Sequence, residues 1–221
     1  RQIIKKTILT SDFIFFETLE MIDFFKKEKI NNIHWLPNSR KPILKKLSPK
    51  NFKKRFVFIS RVIPEKGINE IIKAAINLPK DYCIDIYGPI DDRHYKGDFL
   101  NDKKATYKGL LHPEEVLSTL SSYDVLMLPS YFKGEGYPGI VIESLALGIP
   151  VITTNWKALP EIITNDINGV LIDIKNEKQL KEAILFFNED NYTIFRERAF
   201  KSFQQFSSDI VFNKITDSYL N

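Results

Sequence analysis

Apolar positions along this chain follow two rhythms that alternate from start to end. Residues 12–17 (DFIFFE) form a short apolar run of the kind a strand needs, and residues 18–29 then place Leu19, Ile22 and Phe25 on one helical face. Residues 33–36 (IHWL) make a second short strand, stopped by Pro37. After a lysine-rich interval the same alternation resumes. Strands are predicted over 56–60, 84–87, 105–108, 125–128, 151–154 and 169–173, and helices over 68–78, 114–121, 140–147, 159–163 and 178–187. The tail, 192–221, reads as two further helices, the second capped by Ser207, Ser208 and Asp209. Apolar strands separated by amphipathic helices imply parallel pairing with helices on both faces. The expected fold is therefore α/β, a Rossmann-like doubly wound parallel sheet.

Ligands of such sheets sit beyond the carboxyl ends of the strands, in the loops that lead into helices. Three loops qualify here, at 61–67, 88–91 and 130–139. The first, within FISRVIPEKGINEIIKAA, carries Arg61 as the chain leaves the strand and Lys66 just before Gly67. Two cations beside a helix start can clamp a diphosphate, a fork and a point charge together; they can equally be ordinary surface cations. The third loop opens the run PSYFKGEGYPGIVIESLALGIPVITTN, in which Glu135 and Glu143 stand eight positions apart. An open helix N-terminus between two acids suits a ligand that is anionic at one end and rich in hydroxyls at the other. A nucleotide-sugar is such a ligand. Glu143 also lies among Ile140, Val141, Ile142, Leu145, Ala146 and Leu147, where a bare charge costs several kcal/mol and a ribose diol would supply donors.

Competing chemistries fit less well. Gly134, Gly136 and Gly139 spell G-x-G-x-x-G, but Ser130 to Lys133 intervene before them, and the next strand closes on Thr154 and Asn155 with no acid for a dinucleotide ribose. A glycoside hydrolase would use two carboxylates and leave Arg61 and Lys66 without a task. His34, His94 and His112 are scattered, with no zinc-ligand spacing, and His112-Pro113-Glu114-Glu115 reads first as a helix start. No metal is expected.

Composition is that of an ordinary globular protein, with 221 residues, 43% hydrophobic and 27% charged. The single cysteine, Cys83, lies in an apolar run, predicting core packing and a reducing, cytoplasmic setting. The first residues, RQIIKKTILT, lack an initiator methionine and read as entering mid-structure, which predicts a longer parent protein. Net charge is +4, with cations concentrated in residues 40–55 (RKPILKKLSPKNFKKR). That run reads as a solvated linker or as a peripheral contact with an anionic membrane; no nucleic-acid reader motif accompanies it.

In order, the segments ISRVIPEKG, IDIYGP, ATYKGLLHPEEVLSTLSSYDVLMLPS, GEGYPGIVIESLALGIPVITTN, LPEII and NGVLID resemble the C-terminal half of the GT4-type, GT-B-fold retaining glycosyltransferases. The resemblance covers residues 38–175. It implies a division into residues 1–38, a remnant of the acceptor domain and hinge, and 39–221, the nucleotide-sugar-binding domain. It implies that Arg61 and Lys66 bind the donor diphosphate and that Glu135, with the backbone of Gly136, Tyr137, Pro138 and Gly139, holds the transferred sugar. Glu143 would take the ribose hydroxyls, and the loop of Gly109, Leu111 and His112 would line the base. The implied function is transfer of a hexosyl unit from a nucleotide-sugar to a glycan or lipid-linked acceptor, without metal. The chain alone is expected to bind nucleotide and transfer poorly. A non-catalytic nucleotide-binding domain and a GT-B-fold sugar-nucleotide epimerase are the alternatives. The chain departs from the family pattern at Tyr87-Gly88-Pro89, which lacks a second glycine, and over 90–104.

Overall fold

The structure is a computed structural model that describes residues 10–30, 32–43, 46–95 and 104–220. Its first unit is small. Strands β1 (Ile14–Phe16) and β2 (Ile33–Trp35) pair in parallel, Ile14 opposite Ile33, and helix α1 (Leu19–Lys27) connects them. Thr18 starts α1 by accepting a hydrogen bond from the Met21 amide, as an N-cap threonine should. Ile22, Ile30 and Ile33 form its core.

The second unit is a six-stranded sheet built from β3 (Arg55–Ile59), β4 (Cys83–Tyr87), β5 (Ala105–Gly109), β6 (Val125–Leu128), β7 (Val151–Thr154) and β8 (Gly169–Ile172). All five pairings are parallel, and the strand order is β5-β4-β3-β6-β7-β8. The chain thus lays strands outward from β3, returns, and lays the other half from β6. Every residue of β6 and β7 is buried, because helices cover both faces. These helices are α2 (Ile68–Ala75), α3 (Val116–Ser121), α4 (Gly139–Ala146), α5 (Leu159–Ile162), α6 (Glu177–Phe186), α7 (Glu189–Ser202) and α8 (Ser208–Leu220). The doubly wound expectation holds. β3 and β6 are neighbours at the point where the order reverses, the place in such sheets where ligands bind.

Two expectations need correction. The basic run is not a free linker: Phe52 is buried, Lys50 Nζ donates to the Ser121 carbonyl at 3.0 Å and lies 3.5 Å from Asp124, and Lys54 pairs with Asp81 at 2.5 Å. Asp124 explains the folding-back, since its Oδ2 accepts from the amides of Lys53 and Arg55. Cys83 opens β4 half-buried rather than in the core, with burial pushing its thiol pKa up. The ends of the chain before residue 10 and residues 96–103 of the unaligned stretch lie outside the described residues.

Candidate functional site

The loop after β3 makes one 3-10 turn, Pro64–Lys66, and ends at Gly67 with φ of 81°. Only glycine fits there, because a Cβ would collide with the carbonyl of Pro129 at the end of β6. That close approach joins the two switch-point loops. The Tyr131 amide donates to the Glu65 carbonyl at 2.7 Å, and the Ser130 hydroxyl reaches the same carbonyl at 3.3 Å. Lys66 and Glu135 consequently meet: Nζ lies 2.8 Å from Oε1 and 2.7 Å from Oε2, and Ser130 Oγ donates to Oε2. Both residues are buried, at 7% and 9% exposure. The Phe132 ring takes the guanidinium of Arg61 and the ammonium of Lys66, each 5.1 Å from its centroid. Arg61 itself is exposed and lines a cleft of about 410 Å³ with Ile63, Pro89, Ile90, Asp91 and Arg93. The Arg93 guanidinium, hydrogen-bonded to Asp91, holds that carboxyl well below the usual carboxylate range.

Glu143 stands in the second turn of α4, whose N-cap position is Pro138 and carries no side-chain cap. Its Oε1 accepts from Arg40 Nε at 2.7 Å. Arg40 is fixed in turn by Asn38 Oδ1 at 2.7 Å and the Ser39 carbonyl at 2.9 Å, and its guanidinium fills the space beside Gly139 that a Cβ would need. The partner expected from a ligand is thus supplied by the protein: the buried-acid argument for a ribose diol loses its force, though Glu143 remains 19% exposed at its side chain.

Tyr137, two positions after Glu135, is 3% exposed and bonded through all three of its polar groups. Its amide donates to Glu17 Oε2 at 3.3 Å, its carbonyl accepts from Asn38 Nδ2 at 2.9 Å, and its hydroxyl donates to Glu161 Oε2 at 2.6 Å. Burial, then the bond to Glu161, pushes the phenol pKa up, so the hydroxyl remains a donor throughout the neutral range. The ring meets Trp35 and Phe206 edge-on. Gly136 abuts the Glu17 carboxylate, where a Cβ would collide. The loop Gly136–Tyr137–Pro138 therefore faces β1, α1 and the segment after β2.

Gly109 ends β5, the edge strand, and Leu111 and His112 follow it, with β4 and β3 between β5 and β6. The Gly109 carbonyl accepts from the Gly88 amide at 3.0 Å, and the His112 amide donates to Glu115 at 3.0 Å, the helix-start reading of HPEE. The structure brings together Lys66, Glu135 and the Arg61–Phe132 stack; Glu143 forms a second pair nearby in the chain, and Gly109 is tied to Gly88, which packs on the Ser60 carbonyl beside Arg61. Residue reading missed Arg40, Ser130, Phe132, Glu17 and Glu161. Arg40 was hidden in a basic run, and the others carry no motif of their own. Among the described residues no group of three or more His, Cys, Asp or Glu side chains could hold a metal ion, and no helix is long and apolar enough to cross a membrane.

A family model described as "Glycosyl transferases group 1" matches residues 39–203. An N,N'-diacetylbacillosaminyl-diphospho-undecaprenol α-1,3-N-acetylgalactosaminyltransferase of Campylobacter jejuni is 29% identical over 136 residues, 61% of this chain and 35% of that protein. A GDP-mannose-dependent α-mannosyltransferase of Corynebacterium glutamicum is 28% identical over 173 residues, 73% of this chain and 40% of that one. The crystal structure of Staphylococcus aureus TarM with fondaparinux, α-GlcNAc-glycerol and UDP superposes with a TM-score of 0.77 at 20% identity, covering 98% of this chain and 46% of TarM, which bears on the fold alone. The chain spans less than half the length of each of these three proteins. With its doubly wound sheet, its paired Lys66 and Glu135 at the switch point and a family match over most of its length, this chain belongs to the group 1 glycosyl transferases.

Proposed function

We propose that this chain is the donor-binding half of a GT4-type retaining glycosyltransferase, moving a hexosyl unit from a nucleotide-sugar to a glycan or lipid-linked acceptor. The buried Lys66–Glu135 pair carries this reading. A buried ion pair adds little stability over apolar residues of the same size, so its place at the mouth of a nucleotide-type sheet speaks for chemistry rather than packing. Lys66 is half of a cationic end with Arg61, and both can stabilise charge that develops on a departing diphosphate. Glu135 then does double duty, pairing with Lys66 and accepting hydrogen bonds from sugar hydroxyls. Glu143 and Arg40 together offer acceptor and donor positions to a ribose.

Relatives named for GDP-mannose and for an undecaprenol-linked substrate support this class of donor and acceptor. Residues 1–38 are read as the end of an acceptor domain, the protein as cytoplasmic, and no metal is assigned a role. The test is Glu135→Gln in the full-length protein, with transfer assayed from UDP-, GDP- and ADP-sugars. Loss of roughly 100-fold in transfer is expected, the scale on which one charge-stabilising group is worth in such sites. Unchanged turnover would remove Glu135 from the reaction and favour a scaffold that has merely kept the fold.

A further inference from the structure

The first turn of α1 is capped from far along the chain. Glu161, in α5, accepts from the Leu19 amide through Oε2 at 2.6 Å and from the Glu20 amide through Oε1 at 2.9 Å. Thr18 Oγ1 takes the Met21 amide at 3.3 Å, so the three leading donors of α1 are divided between a local cap and a carboxylate 141 and 142 positions away. A carboxylate at a helix N-terminus is favoured by the backbone dipole as well as by the two hydrogen bonds. The same Oε2 accepts from the Tyr137 hydroxyl at 2.6 Å. One side chain thus joins α1 of the small unit to the loop between Glu135 and Glu143. The junction is closed around it: Asn38 and Glu17 hold the carbonyl and amide of Tyr137, and Trp35 donates from Nε1 to the Glu17 carbonyl at 3.0 Å.

We propose that Glu161 is a positioning residue of the donor site, setting the loop Gly136–Tyr137–Pro138 against the N-terminal unit through the hydroxyl of Tyr137. This rests on the donor-site reading above. Glu161 touches neither acid of the site, yet it fixes the backbone that connects them. If it is lost, Arg61, Lys66 and Glu143 keep their own supports, whereas the loop between the acids loses the one of its three anchors that holds the Tyr137 side chain. The sugar end of a nucleotide-sugar should therefore be felt first, and the nucleoside diphosphate hardly at all.

The experiment uses the whole chain and three substitutions, Glu161→Gln, Tyr137→Phe and the pair combined. Amide hydrogen exchange at Leu19 and Glu20 reports the cap directly. Dissociation constants are measured for whichever of UDP, GDP and ADP binds, and for its glucose- and mannose-linked forms. Glu161→Gln is expected to speed exchange at both amides by tenfold or more. It should weaken the nucleotide-sugar by about tenfold while leaving the bare diphosphate within twofold, and the double variant should be little worse than the worse single one, as for groups acting as a unit. Tyr137→Phe should reproduce the binding loss without the exchange effect. Unchanged exchange in Glu161→Gln overturns the cap. Equal weakening of diphosphate and sugar-diphosphate overturns the positioning role and leaves Glu161 a structural residue. A wild-type chain that binds none of the three diphosphates instead overturns the donor-site reading, a different failure, and the positioning role with it.

Discussion

Lys66 and Glu135 lie 69 positions apart in sequence and share two hydrogen bonds under 3 Å, so each is the other's compensation for burial. Removing one partner strands a charge, and Lys66→Met is expected to lower stability by about 3–5 kcal/mol. The double variant Lys66→Met/Glu135→Leu should cost clearly less than the sum of the two single changes, because no charge is left behind. Urea midpoints at neutral pH measure both, and additive losses would mean that the pair is not coupled. Gly67→Ala makes a second residue-scale prediction: strained φ and a collision with Pro129 should destabilise by more than about 1 kcal/mol, where a permissive glycine would gain from the same change. Most of these residues were legible as types and positions. Their pairing was not, because it depends on how closely Gly67 lets the loop approach Pro129, a fact about space rather than spacing. Arg40 was illegible for another reason. One arginine in a run of cations carries no signal until the chain folds it onto Glu143.

Helix and strand boundaries follow the apolar rhythm wherever burial is two-sided. The predicted strands 125–128 and 151–154 match β6 and β7 to the residue, since both are fully buried and rich in apolar and β-branched residues. Boundaries drift where polar chemistry sets them. Helix α7 begins at Glu189, three residues before its first buried residue, Tyr192, because Asn188 and Asn191 form a reciprocal cap there. Replacing Asn188 with Ala should therefore cost about 1 kcal/mol, read as a shift in the thermal midpoint, and should fray the first turn of α7 in hydrogen exchange. No measurable loss would mean that packing of Tyr192 and Phe195 alone holds the helix. Helix α2 stops at Ala75, short of the predicted 78, because the turn that precedes Pro79 takes over.

At the scale of the whole molecule, alternation of strand and helix was enough to give a doubly wound sheet, but the return from β5 to β6 that makes the switch point was not written in any local pattern. The basic run illustrates the limit from the other side. Composition alone cannot tell a solvated lysine from one that Asp124 or Asp81 has recruited. Lys41, Lys46 and Lys53 are the exposed lysines of that run among its described residues, and three such cations contribute roughly 3 kcal/mol toward an anionic surface. Sedimentation with phosphatidylserine vesicles should accordingly show weak binding that disappears at 0.5 M salt; tight, salt-resistant binding would point to a different membrane contact. The central claim, a switch-point pocket for a nucleoside diphosphate, is tested most directly by thermal unfolding with millimolar UDP, GDP or ADP. One of the three should raise the midpoint by several degrees, since ligand at about 100 times its dissociation constant adds about 2.7 kcal/mol, and Lys66→Met should abolish the shift. A midpoint that none of the three moves at millimolar concentration would contradict the account.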